Sequence, residues 1–181
     1  HNFFPMIVNS DERQWSWMDE GLNTFMQYMA QQELGTNFPS RRGSPKSIIP
    51  YMSSDKKFLE PIMSNSESLI DFGNNAYAKP ATGLNILRET IMGRELFDYA
   101  FKVYANRWKF KHPTPEDFFR TMEDASAVDL DWFFRGWFYT TDPVDIGIKD
   151  VKQYYVSDTP TKELKDAKIN KKCSTRNRKR Y

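Results

Sequence analysis

The sequence predicts a mainly α fold, and three observations carry that expectation. Apolar residues recur at helical spacing in several segments between residues 15 and 139. Residues that start and stop helices flank those segments. Alternation of apolar and polar residues, the mark of a half-buried strand, is nearly absent before Val144. A length of 181 residues is enough for one domain with a real core. Aromatic residues reach 15%, more than a disordered chain carries.

The elements follow in order. Residues 2–9, NFFPMIVN, read as the tail of a helix that stops at Asn9-Ser10-Asp11. Residues 15–34 place Trp17, Leu22, Phe25, Met29 and Leu34 on roughly one face, and Gly35 is a C-terminal stop. The stretch 36–54 holds Pro39, Gly43, Pro45, Pro50 and several serines, so it reads as a long loop of the kind that often borders a functional site. Short helical turns are expected over 55–76. A helix is expected from Lys79, with Pro80 in its first turn, a stripe of Leu84, Leu87, Ile91 and Met92, and an end at Gly93. Residues 94–108 put Phe97, Ala100, Phe101, Tyr104 and Trp108 on the next helix. Thr114 is an N-cap, followed by Pro115, Glu116 and Asp117 in the first turn. Asp129 opens a last, aromatic-rich helix. After Pro143 the pattern alternates at Val144, Ile146 and Ile148, which predicts a short strand near 144–150. The expected organisation is therefore a helical part over 1–142, the opening of a β segment over 143–156, and a basic tail over 157–181 without stable structure. The aromatic stripes are expected to form core.

Charge is unevenly spread. Residues 161–181 hold nine Lys/Arg against two Asp/Glu, or +7, and residues 1–160 hold seventeen against twenty-two, or −5. An acidic body argues against nucleic-acid binding by the domain itself. The tail, KINKKCSTRNRKRY, is compatible with anionic partners but more often such a run is a solvated linker. The single cysteine, Cys173, excludes an intrachain disulfide and a Cys-rich zinc module. No apolar run approaches the roughly 20 residues of a membrane span, so no transmembrane segment is expected. The first residue is His1, with no charged stretch leading into an apolar one, so the chain is expected to begin inside a longer polypeptide. Removal of what precedes His1 is expected to uncover Phe3, Phe4 and Ile7, a surface for self-association.

Only His1 and His112 can offer an imidazole. His112, in KFKHPT, reads as an ordinary surface residue. His1 gains weight from Glu20, since a helix, a turn and a second helix can bring two such residues face to face as metal ligands. Spacing alone still favours Glu20 as one solvated carboxylate among twenty-four acidic residues.

The flanks change that balance. HNFFPMIVNSDERQWSWMDEGL resembles the second half of the HExxH-x18-E signature of the aminopeptidase N and leukotriene hydrolase family of zinc peptidases (gluzincins). His1 takes the place of the second His, eighteen residues separate it from Glu20, and Trp17, Glu20 and Gly21 match the family's Trp-Leu-Asn-Glu-Gly-Phe. Tyr77-Ala78-Lys79-Pro80 resembles the family's Tyr-x-Lys-Gly segment, with Pro80 in place of Gly. Gly93, Phe97, Thr114 to Phe118, Trp137 and Pro143 follow the family's order, and the resemblance covers about residues 1–150.

The resemblance implies the helical C-terminal subdomain of a thermolysin-like catalytic domain. It implies zinc held by His1 and Glu20 with a second imidazole, peptide as substrate, and Tyr77 as hydrogen-bond donor to the tetrahedral oxyanion. The first His and the general-base Glu of the signature would precede residue 1. Residues 1–181 alone are therefore expected to bind zinc weakly and to lack peptidase activity. The alternative is a non-catalytic helical module for protein contacts, which has no need of the His1–Glu20–Tyr77 spacing.

Overall fold

A computed structural model describes residues 1, 4–35, 40–143 and 147–154. The chain divides into two units, His1–Pro143 and Val144–Tyr181.

The described part of the first unit is built mainly from helices. Its helices are α1 (Phe4–Ile7), α2 (Ser16–Leu34), α3 (Pro45–Met52), α4 (Lys79–Ile86), α5 (Arg94–Trp108), α6 (Pro115–Ser126) and α7 (Asp131–Phe134). Among the described residues the only β pairing is an isolated bridge between Val8 and Lys111. No helix among them is long and apolar enough to cross a membrane.

Local sequence explains most boundaries. At α6 the Thr114 hydroxyl accepts from the Asp117 N–H while the Asp117 carboxylate accepts from the Thr114 N–H, a reciprocal cap that seals both donors. Gly93, at φ 82°, breaks the chain between α4's extension and α5. The start of α2 is sealed from a distance: the Ser16 N–H donates to the Ser66 hydroxyl at 3.0 Å. The segment 36–54 is not wholly loop. Ser44 caps α3, and Pro45 fits its first position, where no donor is needed. The expected helix from Lys79 begins earlier, at Gly73. Residues 73–78 and 87–91 are π-helical, so α4 is the centre of one long helix with a wide turn at each end. Pro80 is then internal rather than initial. A wide turn before it relieves the clash between its ring and the carbonyl four residues back. A further π-helical stretch, Arg135–Tyr139, continues α7.

The core is aromatic, as the stripes predict. Trp17 stacks on Phe119 at 5.8 Å and meets the edges of Phe118 and Phe138. Phe118 stands at right angles to Tyr104, with centroids 4.9 Å apart. Such pairs add to the burial term that dominates folding. Leu34 departs from the predicted stripe and is exposed, because α2 outruns the core in its last turns. Phe4 also departs from expectation. It is buried, stacked on Phe101 at 5.5 Å, so it supplies no exposed surface for self-association; Phe3 lies outside the described residues. His112 is a structural tie. Its Nδ1 lies 3.0 Å from the Asn9 carbonyl oxygen and fastens the loop before α6 to the end of α1.

In the second unit, residues 147–154 form no strand and are exposed. The strand expected near 144–150 is thus absent over 147–150, since an isolated edge with no partner gains no ladder hydrogen bonds. Residues 144–146 lie outside the described residues, as does the tail from 155 onward with the disorder and anionic-partner readings made for it.

Candidate metal and catalytic site

The site is assembled by α1, α2 and the long helix through α4. Gly21 sets the distance between the last two. A Cβ on Gly21 would lie 2.6 Å from Pro80 Cγ and 3.1 Å from the Ala76 carbonyl oxygen, so only a glycine lets the helices approach this closely. Glu20 is the residue before it and Tyr77 the residue after Ala76. The close contact therefore carries a carboxylate and a phenol to the same place.

His1 meets Glu20, and Tyr77 neighbours Glu20. The His1 Nε2 contacts the Glu20 Oε2. The Tyr77 hydroxyl is pushed up to about 12, first by burial and then by Glu20, its hydrogen-bonding and charged neighbour. The Arg42 guanidinium lies 4.5 Å from the centre of the Tyr77 ring and opposes that rise. Phe72 meets the same ring edge-on at 5.9 Å. Arg42 belongs to the 36–54 segment, so the described part of that segment does border the site. Beside Glu20 lies a cavity of about 260 Å³, also lined by Glu12, Ser16, Glu67 and Phe72. A larger hollow of about 700 Å³ between α6 and the Arg135–Tyr139 stretch contains none of these three residues.

One site residue escaped sequence reasoning. Asp19, which stands where the resembled Trp-Leu-Asn-Glu-Gly-Phe carries Asn, is buried, and its Oδ1 lies 3.3 Å from the same His1 Nε2. Its carboxyl is pushed up to about 7 by burial, by a hydrogen bond with Glu12 and by the charges of Glu20 and Glu12, against a smaller opposing pull from the terminal amine. The available signal was an acid directly beside Glu20 at a position where the resembled motif is neutral.

Lys79 is the other unusual group. It is 2% exposed, and its Nζ reaches only the Glu60 carbonyl oxygen at 3.5 Å. Burial lowers its pKa to about 8. The unfolded chain keeps the Lys79 proton up to about pH 10.4, whereas the folded chain releases it near 8. Stability therefore rises with pH between those values. Lys79→Met is expected to stabilise the fold at pH 7 by about 2–3 kcal/mol, with the gain vanishing near pH 10.4. Thermal melts of both proteins across pH 7–10.5 check this, and a pH-independent difference would refute it.

Sequence comparison bears on the same residues. The Peptidase family M1 domain matches residues 1–137. The chain belongs to peptidase family M1. It is 26% identical over 139 residues to aminopeptidase N of Escherichia coli K12, and 23% identical over 143 residues to human glutamyl aminopeptidase. These alignments cover 74% and 76% of this M1 chain, but only 16% and 15% of the two relatives' own lengths. No solved structure gives a significant match. The helical unit His1–Pro143 is thus a helical subdomain of an M1 peptidase, as the fold class predicted from the sequence required.

Proposed function

We propose that this M1 chain is the part of a zinc aminopeptidase catalytic domain that supplies one imidazole, one carboxylate and the oxyanion-binding tyrosine. The observation that carries the reading is the meeting of His1 and Glu20, nineteen positions apart in sequence, beside Tyr77.

The donor chemistry fits the metal. A neutral imidazole nitrogen and a carboxylate oxygen are ordinary zinc ligands, and the short contact between them is where a cation would replace a proton. Bound there, zinc would lower the pKa of a water molecule and polarise the scissile carbonyl. With zinc bound, the His1 Nε2 and the Glu20 Oε2 would both turn to the metal as ligands. Tyr77, with its proton retained to about pH 12, remains a donor throughout the neutral range, the form needed to stabilise a developing oxyanion. Arg42 packs over the Tyr77 ring and fixes its orientation. In this reading the second imidazole and the general-base carboxylate come from residues before His1, and the substrate is a peptide with a free amino end, the type of substrate named by both curated relatives.

The test uses residues 1–181 beside a longer polypeptide that restores the preceding helix and the amine-binding segment. With zinc and an aminoacyl chromogenic substrate, the short form is expected to be inactive and the longer one active. Tyr77→Phe in the longer form should lower kcat by roughly 100- to 1,000-fold with little change in KM. Activity of the short form that is abolished by Glu20→Ala, or an unchanged kcat in Tyr77→Phe, would overturn the reading.

A further inference from the structure

We infer that Arg42 is a specificity-determining residue whose guanidinium receives a substrate carboxylate on the carboxyl side of the bond cleaved. The inference rests on the role of Tyr77 proposed above and names a substrate class for that site. The class is peptides with an acidic second residue, or dipeptides, whose terminal carboxylate falls at the same place.

The Arg42 Cζ lies 4.5 Å from the centre of the Tyr77 ring. In the proposed function the Tyr77 hydroxyl serves the oxygen of the scissile carbonyl. An extended peptide advances about 3.3–3.6 Å per residue. A carboxylate on the residue following that carbonyl therefore comes within reach of the guanidinium.

The guanidinium is also unengaged. Arg42 is exposed, and among the described residues its side chain has no ion-pair partner and no hydrogen-bond acceptor; both of its hydrogen bonds are made by its backbone. Arg13, by contrast, is paired with Glu67, and Arg88 with Asp98 and Glu89. Attraction to the Tyr77 ring holds the cation without supplying an acceptor. The N–H donors of a guanidinium match a carboxylate in a planar two-bond fork.

The backbone delivers this arm ready-made. The Ser40 hydroxyl accepts from the Arg42 N–H at 3.4 Å and donates to the Arg42 carbonyl oxygen at 2.6 Å. Gly43 follows at φ 94°, and a Cβ there would lie 2.6 Å from Tyr28 Cγ on α2. Glycine is needed twice, for the dihedral and for the close approach. Ser44 then caps α3. Arg42 is thus fixed from both sides, and a donor already in place loses little freedom when its ligand arrives.

Charge points to the same class. Residues 36–54 hold Arg41, Arg42 and Lys46 and no acid, whereas the rest of residues 1–160 holds fourteen Lys/Arg against twenty-two Asp/Glu. The cavity beside Glu20 is lined by Glu12 and Glu67 as well, and its one cation, Arg13, is already paired with Glu67. A substrate carboxylate is repelled there and attracted at Arg42.

The experiment measures kcat and KM of the longer, active polypeptide on amidated Ala-Ala-Ala, amidated Ala-Asp-Ala, free Ala-Ala and amidated Asp-Ala-Ala. The variants are Arg42→Gln, Arg42→Lys and Arg41→Gln. Relative to amidated Ala-Ala-Ala, Arg42→Gln is expected to lose about 10- to 100-fold in kcat/KM on amidated Ala-Asp-Ala and on free Ala-Ala, chiefly through KM. The first of these reads an acidic side chain and the second a terminal carboxylate, so a loss on only one identifies which is recognised. Arg42→Lys keeps the charge without the fork and should recover part of the loss. Disturbed packing of Tyr77 would instead lower kcat on every peptide alike. An unchanged ratio between acidic and neutral peptides overturns the inference and leaves the Tyr77 role standing. An equal fall in Arg41→Gln would assign the effect to the charge of the whole segment and overturn it too. Selectivity lost only on amidated Asp-Ala-Ala would move the carboxylate to the amino side, against the inference. Inactivity of the longer polypeptide on all peptides would remove the proposed function and this inference together.

Discussion

Gly21→Ala is expected to push α2 away from the long helix and to separate Glu20 from Tyr77. The added methyl would lie 2.6 and 2.8 Å from two ring carbons of Pro80 and 3.1 Å from a backbone oxygen. None of these is the flexible end of a side chain, so the helices themselves must move. Alanine gains about 1 kcal/mol over glycine in helix propensity, while overpacking of this kind costs about 1–3 kcal/mol or more. The stability change is therefore modest, a net loss of up to about 2 kcal/mol. The functional change is larger, because a displacement of about 1 Å in a catalytic constellation costs on the order of 100-fold in rate. In residues 1–181 the direct readout is Tyr77. Its hydroxyl, held up at about 12 with Glu20 nearby, should move back toward 10.0. Tyrosine ring-carbon NMR across pH 9–12.5, with Tyr77→Phe to assign the signal, measures it. An unshifted titration together with an unshifted melting temperature would show that the contact does not set the site.

The largest loss of stability is expected for Trp17→Ala. Trp17 is 1% exposed and touches Phe118, Phe119 and Phe138, which come from two other helical segments. Removing a buried indole costs about 3–5 kcal/mol through lost burial and the cavity left behind. For a domain of this size each kcal/mol lowers Tm by about 3 °C, so a fall of about 10–15 °C is expected. Trp17→Phe is the instructive comparison. The Trp17 Nε1 is buried with no acceptor, so phenylalanine removes an unsatisfied donor as well as volume. Its penalty should be less than half that of alanine. Melting curves followed by circular dichroism decide the matter, and equal losses for both variants would mean that the Nε1 finds a partner in solution.

Much of the fold was legible because local and global preferences agree. The Thr114–Asp117 cap, the Gly93 break and the α5 stripe each specify structure within a few residues, and the structure uses them as read. Three features were hidden for physical reasons. The α3 helix carries Pro45 and Pro50 and is too short for a clear period, so its composition looks like loop. Residues 73–78 read GNNAYA, whose apolar residues Ala76, Tyr77 and Ala78 are adjacent and show no period, and their wide turn follows no 3.6-residue pattern. For the site, the spacing of His1 and Glu20 and the Tyr77 segment could be read along the chain. Asp19 could not, because its burial and its approach to His1 exist only after folding.

The wide turn from Gly73 to Ala78 also bears on how this site could be lost or altered by descent. Tyr77 sits inside that turn, so its bearing depends on how many residues the turn contains as well as on what they are. Losing one residue there would leave a chain that still closes as a good helix. It would nevertheless rotate one side of the deletion by about 100° against the other, and Tyr77 would part from Glu20. Hydropathy, charge and core composition would barely register the change. Between Phe72 and Lys79, then, length matters alongside identity: a one-residue deletion would swing the phenol out of register within a fold that looks intact.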